Sequence, residues 1–216
     1  MFWKRIFVWF VRITGILPFW LFFKTKVFFE NKKKQSTKIK GGAILVSNHN
    51  SVWDVAPVLF VFWRRIPRCL TAELMYKKNA FFPFFLNSLA CIKVDRDSHD
   101  YSFMEKCCKI LKEGGLVEVY PESRIPQPGE ETPLPFKPST IVMALESGAP
   151  IIPMYNDGVY FTSKRNHIII GTPFYARDYY DESLSERENV EMITEKLRNR
   201  IIELRDELSR QESKKD

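Results

Sequence analysis

A chain of 216 residues suits one domain with an appendage and is long enough to bury a sizeable core. Its formal charge of +7 sits at one end, because residues 1–40 hold ten Lys/Arg against the single acid Glu30 and the remainder is slightly acidic. A basic footprint confined to an aromatic-rich terminus is not the cationic face of a nucleic-acid reader, so nucleic acid is not expected as a partner.

Along residues 1–30 the cations alternate with Phe2, Trp3, Phe7, Trp9, Phe10, Phe19, Trp20, Phe22 and Phe23. Aromatic rings beside Lys and Arg are the composition of a segment lying at lipid headgroups. A span needs about 20 apolar residues. The stretch between Arg5 and Lys24 is interrupted by Arg12, which is costly in hydrocarbon, and by Gly15 and Pro18. The pattern predicts two short helices, broken near Gly15–Pro18 and dipping into one leaflet. Residues 1–36 are thus expected to be a membrane-associating helical segment and residues 37–216 the catalytic or binding domain.

After the basic hinge at 32–40, apolar runs alternate with longer amphipathic stretches. Strands are predicted at 43–47, 68–72, 91–94, 115–120, 150–155 and 167–171, and helices at 54–63, 75–89, 99–113 and 137–147. This alternation implies an α/β fold with a mostly parallel or mixed central sheet flanked by helices. Ser98 is the expected cap of helix 99–113, and Gly114-Gly115 its stop. Residues 125–138 form a Pro-rich loop. In 183–211, Val190, Ile193, Leu197, Ile201, Leu204 and Leu208 recur every three or four positions. That spacing predicts a long helix packed on the domain, with a coiled-coil dimer as the alternative. Cys69, Cys91, Cys107 and Cys108 show no C-x-x-C pair, and with three His in the chain no metal site is expected. The thiols are expected to pack as small hydrophobes.

The chemistry concentrates where the apolar run Ala43-Ile44-Leu45-Val46 ends in Asn48-His49-Asn50-Ser51-Val52-Trp53-Asp54. A His delivered to a strand end with an Asp in the next turn is a proton-relay geometry: imidazole takes a proton, and a carboxylate on its other nitrogen fixes the tautomer. Three further blocks follow in order. They are Cys91-Ile92-Lys93-Val94-Asp95-Arg96; Val119-Tyr120-Pro121-Glu122-Ser123-Arg124 with Pro135-Phe136-Lys137-Pro138-Ser139; and Gly148-Ala149-Pro150-Ile151-Ile152-Pro153-Met154.

As an ordered set over residues 41–155, these blocks resemble the glycerolipid acyltransferase family that includes 1-acyl-glycerol-3-phosphate acyltransferase. Its pattern is N-H-x-x-x-x-D, a strand-end Arg, F-P-E-G-T-R with a later F-K-x-G, and V-P-I-x-P. The resemblance implies His49 as the general base on an acceptor hydroxyl and Asp54 as its orienting carboxylate. It implies Arg96 and Arg124 as anchors of the acceptor phosphate, Glu122 as a glutamate that helps position the polar acceptor, and Lys137 as further charge in the same pocket. It also implies a membrane-associated enzyme at the cytoplasmic face that moves a fatty acyl chain from acyl-CoA or acyl-carrier protein to a lysophospholipid, with no cofactor. The chain departs from the family where Ser123 alone replaces Gly-Thr and where Ser139 replaces the later glycine. Losing that glycine removes easy access to positive φ. A non-catalytic, membrane-tethered lipid-binding protein with a decayed acceptor site is the alternative. His99 and His167 belong to no block and read as surface or structural residues.

Overall fold

The computed structural model describes residues 2–33, 35–79, 81–95 and 102–214. Seven strands form one sheet: β1 (Lys26–Phe29), β2 (Ala43–Ser47), β3 (Pro67–Ala72), β4 (Ile92–Val94), β5 (Leu116–Val119), β6 (Ile151–Asn156) and β7 (His167–Ile170). Their spatial order is β1-β7-β6-β2-β5-β3-β4. All neighbours are parallel except β6 and β7. The helices are α1 (Phe2–Phe22), α2 (Val55–Val61), α3 (Glu73–Tyr76), α4 (Phe81–Ser88), α5 (Ser102–Lys112), α6 (Ser139–Ser147) and α7 (Glu186–Ser213). The mixed α/β architecture matches the fold expected from the sequence.

Central β2 is buried at every position, as befits a strand with both faces covered. Its side chains alternate between two layers. Ile44 and Val46 pack with Cys107, Leu111, Ile141, Met143, Ile193 and Leu197 of α5, α6 and α7. Ala43 and Leu45 pack with Val58 and Phe62 at α2. All six apolar positions noted in the C-terminal stretch lie buried along α7, so the stripe that could have built a coiled coil is spent on the domain. A capping box opens that helix: Glu188 N–H donates to Ser185 Oγ while Ser185 N–H donates to the Glu188 carboxylate. All four cysteines are free and buried.

Three local expectations need correction. The N-terminal segment is one continuous helix through Gly15 and Pro18, not two. Tertiary packing holds it across the weak points. A side chain at Gly15 would press on the Phe60 ring at 3.1 Å, and Phe19 stacks on the same ring with centroids 4.3 Å apart. Residues 26–29, expected within the helical segment, form edge strand β1, paired with β7 from Lys26↔His167 to Phe29↔Ile170. The helix expected at 75–89 is split into α3 and α4, because Asn79 Oδ1 accepts from Phe81 and Phe82 N–H and starts a new helix. Ser98, the expected cap of α5, lies outside the described residues.

Arg12, read as a cost in lipid, is instead buried in protein. Its guanidinium donates to the carbonyls of Leu59 (2.9 Å), Phe62 (3.2 Å), Arg65 (2.6 Å) and Trp63, which lie at and just beyond the C-terminal end of α2. Carbonyls at a helix C-terminus run out of intrahelical donors, so one side chain both caps α2 and clamps α1 across it.

Candidate active site

Strand β2 ends at Ser47, and the turn that follows brings His49 and Asp54 together at the C-terminal edge of the sheet. His49 Nδ1 lies 2.8 Å from Asp54 Oδ2. Asp54 is fully buried and turns back toward this loop, making no side-chain cap on α2. Its Oδ2 also accepts from Asn50 N–H (2.7 Å) and Ser51 N–H (2.9 Å), and Oδ1 accepts from the Tyr160 hydroxyl (2.6 Å). Donors thus converge on a carboxylate removed from water, which offsets the desolvation of its charge. With Nδ1 engaged, Nε2 is the His49 nitrogen left without a partner among the described residues.

The loop is held from three sides. Asn48 exchanges two hydrogen bonds with the Asn156 backbone at the end of β6: Asn48 Nδ2 donates to Asn156 O (2.9 Å), and Asn156 N–H donates to Asn48 Oδ1 (2.8 Å). Asn50 Nδ2 donates to the same Asn156 carbonyl (2.7 Å), and Gly158, at φ +71°, leaves no room for a side chain beside Asn50. From β5, Tyr120 stacks on the His49 ring with centroids 4.6 Å apart and 27° between planes. Beneath both rings, Glu122 Oε1 accepts from His49 N–H and Oε2 from Leu134 N–H, each at 2.7 Å. Burial pushes the Glu122 carboxyl above its ordinary value, and these two backbone donors oppose the shift.

The remaining expected site residues fare differently. Both Glu122 oxygens are committed to backbone, so the side chain faces the His49 loop and is buried. Arg124 is exposed, and its fork is occupied by Glu130 of the same loop at 2.6 and 2.7 Å. Lys137 is exposed just before α6; its backbone N–H donates to the Pro121 carbonyl (2.8 Å) and ties the two halves of the third block. Arg96 lies outside the described residues, as does His99. Ser123, which stands where the family has glycine, adopts φ +63° all the same. That conformation costs a side-chain-bearing residue roughly 1–2 kcal/mol. The chain therefore holds a left-handed turn at this position with a serine.

Two participants carried no signal in the sequence. Tyr160 belongs to no block and reaches Asp54 from a loop 106 positions away. Its hydroxyl also accepts from Asn156 Nδ2 at 2.6 Å. Glu118 of β5 is 1% exposed and accepts from the Tyr120 hydroxyl at 2.5 Å, while its other oxygen has no hydrogen-bond partner. Burial raises its pKa to about 8; the Tyr120 hydrogen bond lowers it, and the nearby Asp54 charge raises it. His167 sits away from this loop. Its Nδ1 faces Glu212 near the end of α7 and Asp157 (3.6 Å), and the ligand atoms of the three lie within 4.8 Å of one another. The cluster fastens α7 to the β6–β7 edge, a structural use in keeping with the reading of His167.

The loop also meets α1. Phe161 N–H donates to the Phe22 carbonyl (3.0 Å) and Asn166 N–H to the Phe23 carbonyl (3.1 Å). The Phe23 ring packs against Tyr160 (5.2 Å) and Phe161 (5.3 Å), and Phe161 packs against Trp53 (5.1 Å). Trp53 and Phe161 are each about half exposed beside the His–Asp turn.

Comparison with known proteins adds to this geometry. A family model described as acyltransferase matches residues 26–156. The 1-acyl-sn-glycerol-3-phosphate acyltransferase of Bacillus subtilis (strain 168) is 28% identical over 181 residues, spanning 81% of this chain and 87% of that one. The crystal structure of the 1-acyl-sn-glycerophosphate (LPA) acyltransferase PlsC from Thermotoga maritima shares the fold, with a TM-score of 0.65 at 20% identity over 94% of this chain and 81% of that chain.

Proposed function

Because the chain belongs to the acyltransferase family, we propose that it transfers a fatty acyl group from a thioester donor to the hydroxyl of a lysophospholipid such as 1-acyl-glycerol-3-phosphate, working at a membrane surface. The observation that carries the reaction is the 2.8 Å contact between His49 Nδ1 and the buried Asp54. Asp54 holds the tautomer in which Nε2 is free to accept. Nε2 takes the proton of the acceptor hydroxyl as its oxygen attacks the thioester carbonyl. The C–S bond breaks, an ester forms, and the imidazolium returns the proton to the departing thiolate. Direct attack needs no acyl-enzyme, since base and hydroxyl sit side by side.

Glu122 acts here as a positioning residue that fixes the His49 backbone. Arg124, two residues beyond Glu122, would meet the acceptor phosphate. Its exposed pair with Glu130 is the kind of ion pair worth little in water, so a phosphate exchanges readily for that carboxylate. Arg96 and Lys137 would add to the same anion site, and the donor would be acyl-CoA or acyl-carrier protein. Helix α1 is long and apolar enough to cross a bilayer by composition. Its Arg12 clamp on α2 and its ties to the Tyr160 loop support a helix lying along one leaflet, here taken to be the cytoplasmic one, with the acceptor's tail beside it.

The test offers purified protein a mixture of lysolipids with a labelled acyl thioester and identifies products by mass spectrometry. Lysophosphatidate should be converted, and His49→Ala should lower turnover about 10³-fold. Full activity in that variant, or thiol release with no lipid product, would refute the reading.

A further inference from the structure

A cavity of about 480 Å³ opens at the opposite end of the sheet from His49, between α1 and the segment joining α2 to β3. Five arginines line it: Arg5 and Arg12 from α1, Arg64 and Arg65 from that joining segment, and Arg68 from β3. Glu113 is the single acid among its described lining residues. Arg68 is not free, and two more of the five are committed to backbone carbonyls. Arg12 is spent on the α2 carbonyls, and Arg65 donates to the carbonyls of Ile39 (3.0 Å), Gly41 (2.6 Å) and Gly114. By contrast, Arg5 makes no hydrogen bond or ion pair among the described residues, and Arg64 has only a cation–π contact with Trp63 at 5.9 Å. A second cavity of about 220 Å³ shares Ile66, Arg68 and Ile110 with the first and adds Lys4 and Lys106. The pKa of Arg68 is lowered by its burial and further by the charges of Arg65 and Arg5, only partly opposed by Glu113. So many cations around one concavity repel one another until an anion enters. Guanidinium forks favour phosphate.

We propose that this arginine-lined cavity binds a phosphate group presented by an anionic phospholipid of the surface on which α1 lies, as a site separate from the one that performs transfer. The inference rests on the reading that α1 lies along a bilayer. The rim supports a lipid source over a soluble one. Trp9 and Trp63 meet edge to face there at 5.8 Å, and Trp63 is half exposed; tryptophan is the residue enriched at the headgroup layer. On the same helix Trp3, Phe10 and Ile13 point outward and are 60–78% exposed. The separation from the catalytic loop is the length of β5: its first residue, Leu116, lines the cavity, and Tyr120 just past its end stacks on His49. That is about 13 Å of strand. One phosphate cannot serve both places, so the cavity would hold a lipid that is not consumed.

Co-flotation of the full-length protein with phosphatidylcholine vesicles, with and without phosphatidylglycerol, tests this. Wild type should prefer the anionic vesicles. The double variant Arg5→Gln, Arg64→Gln should lose that preference about tenfold or more. Both side chains are exposed, and thermal unfolding would confirm that the double variant folds. A control of equal charge on the outer face of α7, Arg187→Gln with Lys196→Gln, should bind within about twofold of wild type. Equal loss in both double variants would reduce the effect to overall charge and overturn the site, as would unchanged binding in the first. Inorganic phosphate at matched ionic strength is the second arm. If it protects wild type but not the Arg5/Arg64 variant from unfolding while vesicles show no anionic preference, the lipid source is wrong. Acyl transfer in detergent micelles, measured on the same samples, should be equal in all three proteins. Its absence even from wild type would defeat the catalytic reading while leaving the vesicle result to stand or fall alone.

Discussion

Tyr160 is the residue whose role can be isolated most cleanly, because its hydroxyl touches the one Asp54 oxygen that His49 does not. Removing that donor leaves the buried Asp54 carboxylate with one hydrogen bond fewer and loosens the group that orients the His49 ring. Tyr160→Phe should therefore lower kcat roughly three- to tenfold, about 1 kcal/mol, with KM little changed. A purely packing role would lower stability and leave kcat unchanged. Glu118 makes the complementary prediction about stability. Folded Glu118 holds its proton up to about 8, while its ordinary value is 4.5. The stability gained from the bound proton is thus complete below 4.5 and lost as pH rises through about 8. Glu118→Gln should match wild type in acid and be the more stable protein at pH above 8, by several kcal/mol, in denaturant unfolding followed across pH. His49 and Asp54 were legible because their partnership is local, five positions apart beyond an apolar strand. Tyr160 and Glu118 were not, because a lone tyrosine in a loop and a glutamate in a strand acquire meaning only through distant neighbours.

At the scale of elements, α1 shows how tertiary contacts override local propensity. Gly15 and Pro18 both disfavour a helix interior. The helix continues through them because Gly15 permits close approach to Phe60 and because Arg12 is fixed between α1 and α2. Arg12→Met should leave the backbone carbonyls at Leu59, Phe62, Trp63 and Arg65 without their shared donor and lower stability by about 3 kcal/mol in denaturant titration. An unchanged midpoint would show that water replaces the clamp. Strand β1 escaped the sequence reading for a related reason. Lys26-Val27-Phe28-Phe29 looks like more interfacial aromatic sequence, and only pairing with β7, far along the chain, makes it a strand. The other six strands were found within a residue or two, because their runs of β-branched and aliphatic residues stand out between polar stretches. The third block lies between these cases. Its Glu122, read as a group that positions the acceptor, has both oxygens on the backbone N–H groups of His49 and Leu134, and the Arg124–Glu130 fork could not be foreseen from composition, since any of several nearby acids could have claimed the guanidinium.

Taken whole, the molecule distributes its work along the sheet. One end carries the His–Asp turn, the other the arginine cavity, and α1 runs past both, through Arg5 near its start and Arg12 at its middle, and through Phe22 at its close with Phe23 just beyond. Glu30, the single acid of the first forty residues, faces Arg200 of α7 and accepts from Thr172 N–H (2.8 Å), so even the stretch after β1 is fastened to the body. The ties between Phe22, Phe23 and the loop bearing Tyr160 have a practical consequence. A shortened protein beginning at the first strand, an attractive route to a more tractable sample, would discard the Phe22 carbonyl and the Phe23 ring that brace the tyrosine. Such a sample would keep every residue of the recognised blocks and still report a misaligned base. Kinetics gathered on it would describe the truncation rather than the enzyme.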